Sequence, residues 1–125
     1  MAKEFLQKES AGPNDWTVWS VSGRIDMVTA DSAYATGEDI VLRNVKTVLD
    51  MTDMEYLSSA GLRVLLRLNK LAKKNGKTFT LARPSGIVKS VLEDSGMDAL
   101  FTIYTCSLTL FAQGMMNPRD RKSVV

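Results

Sequence analysis

The passage from residue 45 to residue 75 constrains this chain more than any other, because its hydrophobic pattern changes character part-way. A short apolar run rich in β-branched residues, with Val45, Val48 and Leu49, stops at Asp50 and gives way to a polar turn. A run of that kind predicts a strand over 45–51. From Leu62 the apolar residues Leu65, Leu66, Leu68 and Ala72 recur at three- and four-residue steps. That spacing lines one side of a helix, expected over 62–75, and its leucine, arginine, lysine and alanine residues all favour the helix.

The connection reads Asp53-Met54-Glu55-Tyr56-Leu57-Ser58-Ser59-Ala60-Gly61. Ser58 or Ser59 is the natural N-cap, since a serine oxygen there accepts a hydrogen bond from an unpaired amide of the first turn. Two serines exceed what one cap needs. The helix start beside them carries partial positive charge with its amides pointing outward, so a phosphoryl group would be tolerated. Ala60 and Gly61 are small enough for another protein's active site to approach the backbone closely. On the residues alone, plain capping and a regulatory role both stand.

The flanking chain alternates strand and helix signals. Phe5 and Leu6 suit an edge strand, 11–15 is a turn by composition, and Trp16 to Ser22 alternates large apolar with small polar side chains, so an N-terminal hairpin is expected. Trp16 and Trp19 are read as packing residues. Gly23 ends that strand, and Thr29 is the expected N-cap of a helix running to about Arg43, with Ala33, Tyr34, Gly37, Ile40 and Val41 on one face. A mid-helix glycine costs about 1 kcal/mol relative to alanine, which implies close packing at Gly37. Further strands are expected over 78–82 and 100–104, with a helix from Pro84-Ser85 to Ser95-Gly96 between them and a short final helix over 106–113. Alternating elements imply parallel pairing through crossovers. The expected fold is one α/β domain over 1–116, a mixed and mostly parallel sheet with an N-terminal hairpin and about four helices, followed by a flexible tail over 117–125. The serine connection would lie outside the carboxyl edge of its strand, where open α/β sheets place ligands.

Composition narrows the function. With 125 residues and 45% apolar content, the chain suits a single domain with a real core. Sixteen Lys plus Arg against 14 Asp plus Glu leave a net charge of +2, which gives no strong case for direct binding to nucleic acid or to an acidic membrane surface. The sequence has no histidine and a single cysteine, Cys106, which removes a Ser-His-Asp triad, a histidine base and an internal disulfide, and argues against a structural zinc site. No run approaches the ~20 apolar residues of a membrane helix, and the start lacks the apolar core of a secretory signal. A soluble cytoplasmic protein that needs no metal or cofactor and does not insert in a membrane is therefore expected, and several enzyme classes are removed; its oligomeric state stays open.

Three motifs, in order, carry a resemblance. Gly23-Arg24-Ile25-Asp26 is followed by Thr29-Ala30; Leu49-Asp50 precedes Tyr56-Leu57-Ser58-Ser59-Ala60-Gly61-Leu62; and Ser95-Gly96-Met97 precedes Leu100-Phe101. Together they span nearly the whole chain and resemble the anti-sigma factor antagonist proteins of the STAS domain family. That resemblance implies that Ser59, two residues before the Gly-Leu pair, is phosphorylated by a partner kinase. Ser58 stands where many members have Asp, which makes it a second candidate phosphoacceptor. The family places the counterpart of Asp26 near the phosphorylated serine, and Asp50 carries over on the same grounds; otherwise both are turn formers. Asp26, Asp50, Ser58, Ala60, Gly61, Leu62, Arg63 and Arg67 form the expected partner-binding set.

Arg63, Arg67, Lys70 and Lys74 recur by four, three and four residues, a basic ridge on the exposed side of the helix behind Ser59. It is either a solvated face or a surface that steers an acidic partner. The resemblance implies a switch: the unphosphorylated protein binds a serine kinase that is also an anti-sigma regulator, phosphate on Ser59 releases it, and a serine phosphatase resets the system. The alternative is a non-switching STAS subunit docked in a transporter or signalling assembly.

Overall fold

The sheet grows outward from its longest strand, β2 (Trp16–Ile25), whose residues Thr17, Trp19, Val21, Gly23 and Ile25 are buried while the residues alternating with them are less so. The computed structural model describes residues 4–12, 15–104 and 121–122. On one edge β2 pairs antiparallel with β1 (Leu6–Ala11), which is the expected hairpin. On the other it pairs in parallel with β3 (Lys46–Asp50), and the sheet continues in parallel through β5 (Thr78–Ala82) to β6 (Ile103–Tyr104). A last strand, β7 (Arg121–Lys122), runs antiparallel beside β6, so part of the segment read as a tail is paired.

Helices α1 (Ala30–Arg43), α2 (Ser59–Lys74) and α3 (Gly86–Asp94) are described, and the helix expected over 106–113 lies outside the described residues. The close packing that Gly37 implied is present: a Cβ at that position would come within 2.6 Å of the Trp19 ring and 2.7 Å of Leu68. Trp19 is fully buried, stacks near Phe79 at 6.4 Å between centroids, and donates its indole N–H to Gln7 Oε1 at 3.0 Å. Gln7 in turn donates to Thr36 on α1 at 3.1 Å. The hairpin, the first helix and the centre of the sheet are thus tied through one aromatic side chain whose polar edge is satisfied.

Four expectations change. Gly23 does not end β2: it adopts φ +81°, produces a register shift before Arg24, and the strand continues to Ile25. A side chain there would strike the backbone of Glu4 and Phe5 at 2.8 Å, which is why the bulge needs glycine. Thr29 stands at the N-cap position of α1 as expected, but its side chain makes no capping bond: the hydroxyl turns back, donating to the Arg24 carbonyl at 2.8 Å and accepting from the Asp26 N–H at 3.0 Å. The strand expected over 100–104 is shortened to its last residues by a 3-10 turn, Met97–Ala99. The fourth change, a strand inside the serine connection, builds the site.

Candidate functional site

After β3 the chain jogs at 51–53 and re-enters the sheet as β4 (Met54–Leu57), which pairs in parallel with the far end of β2, Gly23 against Met54 and Ile25 against Leu57. One long strand therefore holds both halves of the connection. Asp50 sets the jog, its Oδ1 accepting from the Thr52 N–H at 3.1 Å and from the Thr52 hydroxyl at 2.5 Å. The Gly23 N–H donates to the Asp53 carbonyl at 3.1 Å, and the Ser58 N–H donates to the Ile25 carbonyl at 2.9 Å. These bonds fix where α2 begins.

Of the two serines, Ser58 is the cap. Its extended backbone places Oγ to accept from the Gly61 N–H at 3.3 Å, and its carbonyl accepts the first helical bond from Leu62 at 2.9 Å. Ser59 is then the first helical residue, exposed and free of capping duty. Gly61 is buried, not presented: a Cβ there would meet Leu57 at 2.5 Å and the Ile25 carbonyl at 2.9 Å. Its smallness lets the start of α2 lie directly on the ends of β2 and β4.

Asp26 shapes the neighbouring turn. Its Oδ1 accepts from the Val28 N–H at 2.9 Å and the Thr29 N–H at 3.2 Å, which throws Met27 and Val28 outward, 85% and 87% exposed. Between this turn and α2 runs a groove of about 280 Å³, lined among others by Met27, Asp31, Tyr34, Ala60, Arg63 and Arg67. The Arg67 guanidinium carbon lies over the Tyr34 ring, 3.9 Å from its centroid, a cation–π contact. An anionic or apolar segment of another protein suits this combination of cations and bare apolar side chains.

The sequence pattern of the STAS domain matches residues 7–109. The chain belongs to the STAS domain family. It is similar to the anti-sigma-F factor antagonist RsfB of Mycobacterium tuberculosis, 28% identical over 105 residues that make up 83% of this chain and 85% of the relative. In fold it is similar to an anti-sigma factor antagonist of Mycobacterium paratuberculosis, with a TM-score of 0.77 at 23% identity over 90% of this chain and 96% of the other. It is also similar to the Bacillus cell fate determinant SpoIIAA in its phosphorylated form, with a TM-score of 0.63 at 13% identity over 85% of this chain and 97% of that one.

On this STAS domain the expected site residues separate into groups. Ala60, Arg63 and Arg67 line the groove, Ser59 precedes Ala60 at the start of α2 without lining it, and Asp26 holds the turn that forms its far wall. Leu62 is half-buried against the core and Gly61 is inside, so both position the helix. Asp50 does not line the groove; it lines a second cavity with Lys8, Ser20 and Asp53. Sequence reasoning missed Met27, Val28 and Tyr34. The signal for the first two was legible, since a Met-Val pair inside an Asp-to-Thr turn has no inward face to occupy.

Proposed function

We infer that this STAS domain is an anti-sigma factor antagonist controlled by phosphorylation of Ser59. The observation that carries the reading is the division of labour between the serines: Ser58 is engaged as the cap, while Ser59 stands exposed at the first turn of α2 beside the groove. The name of the similar RsfB protein and the existence of a phosphorylated form of SpoIIAA support it.

In the unphosphorylated state the groove, with Met27 on one side and Arg63 and Arg67 on the other, receives a serine kinase that doubles as an anti-sigma factor, and so frees that regulator's other target in the cytoplasm. The kinase moves the γ-phosphoryl group of ATP to Ser59 Oγ. The bond to the β-phosphate oxygen breaks, a new P–O bond forms, ADP leaves, and the hydroxyl proton passes to a base on the kinase. The product carries close to two negative charges at the centre of the contact, and repulsion with desolvation expels the partner. A serine phosphatase hydrolyses the ester and restores binding. The STAS domain is substrate and binder and performs no catalysis.

The test is peptide-level mass spectrometry of the protein from its native cells under phosphatase inhibition, paired with binding of Ser59→Ala and Ser59→Asp variants to the regulator recovered with it. Phosphate at Ser59, retained binding by Ser59→Ala and lost binding by Ser59→Asp are expected. An unmodified Ser59 in all growth conditions, with both variants binding alike, would favour the non-switching docking subunit.

A further inference from the structure

Ser59 and Arg63 stand one helical turn apart, the i and i+4 spacing that puts two side chains on one face with their Cβ atoms roughly 5–6 Å apart. Both are exposed. Arg63 has no ion pair and no ring contact among the described residues, in contrast to Arg67, which is held on Tyr34. The cation one turn beyond Ser59 on its own helix is therefore uncommitted, whereas Arg24 of the neighbouring strand lies over the Tyr56 ring and beside Asp26. Acidic groups stand on the other wall: Asp31 lines the same groove from α1, and Asp26, 3.9 Å from Arg24, lies in the turn before it. A phosphate on Ser59 would be repelled from that wall and drawn toward Arg63.

We propose that phosphate on Ser59 is clamped within the same helix by Arg63. This rests on the reading of Ser59 as the phosphoacceptor. The planar guanidinium offers paired N–H donors whose spacing matches two phosphate oxygens, a fit a lysine lacks. The outward amides at the start of α2 add to the attraction without needing to move. Phosphorylation then acts on a partner twice: it adds an anion at the centre of the contact, and it withdraws the first cation of the basic ridge by pairing it internally. An acidic patch on the partner that had met Arg63 loses its counter-charge in the same event.

The clamp is tested without any partner, on full-length protein with phosphoserine installed at position 59 during translation. Phosphorus NMR follows the second ionisation of the phosphate in the parent and in R63Q, R63K and R67Q backgrounds. A nearby cation favours the dianion, so the pKa is expected to lie lower in the parent than in R63Q by at least about 0.3 of a pH unit. R63K should fall between them, and R67Q should match the parent, because Arg67 lies a full turn further on and is occupied by Tyr34. Equal titration in the parent and R63Q overturns the clamp. An equal displacement in R67Q also overturns it, since that outcome means a diffuse field from the whole ridge. The installed phosphate makes this result independent of whether cells modify Ser59: missing native phosphate defeats the switch, whereas equal titrations defeat the clamp alone.

Discussion

At the scale of single residues, two adjacent serines have been given different tasks by a difference of one position. Ser58 has extended backbone and a side chain committed to the Gly61 amide, while Ser59 is already helical and has none of that burden. Ser58→Ala is expected to lower stability by about 1 kcal/mol in urea denaturation, and Ser58→Asp to recover most of it, because aspartate caps as well as serine. A Ser58→Ala loss well below half that value would mean that the cap does not hold the site. The sequence announced a cap in this pair but left its owner open, for either serine satisfies the same pattern. The Ser58 hydroxyl accepting from the Gly61 amide, with the Ser58 amide tied to the Ile25 carbonyl, settles it. The same distinction applies to Gly61, whose small size the sequence made visible and whose burial between Leu57 and Ile25 gives the reason.

Among the elements, the contact of α1 with α2 and the sheet depends on an absence. Gly37 lets α1 sink until Trp19 and Leu68 fill the place of a side chain. Gly37→Ala gains up to about 1 kcal/mol of helix propensity yet overpacks this junction, where extra methyl groups cost about 1–3 kcal/mol. The net result expected is a loss of stability, read as a lower urea midpoint with an unchanged slope; a gain would show that the helices separate easily. The element that sequence reasoning did not find is β4. Its four residues lack a run of β-branched side chains, and Glu55 and Tyr56 between Met54 and Leu57 read as turn. What makes them a strand is the exposed edge of β2 beyond Ser20, whose amides and carbonyls need partners that β3 is too short to supply.

For the molecule as a whole, Trp19 is the point where the parts meet, touching Phe79 in the sheet, the Gly37 position of α1 and, through its indole N–H, Gln7 of the edge strand. Trp19→Ala is expected to cost about 3–5 kcal/mol and to move the whole unfolding transition, as seen by far-ultraviolet dichroism. A loss confined to the hairpin would contradict a shared core. The sequence by itself determined the order of most elements, the hairpin, the two helix faces, the basic ridge and the serine pair, because hydrophobic period, turn residues and caps are local properties carried by neighbours in the chain. Tertiary structure alone decided that β2 serves both β3 and β4, that the groove opens between the Asp26 turn and α2, that Arg67 rests on Tyr34, and that Arg63 is left uncommitted beside Ser59. Those facts depend on residues far apart in sequence competing for the same hydrogen bonds and the same surface, and no local pattern records which of them prevails.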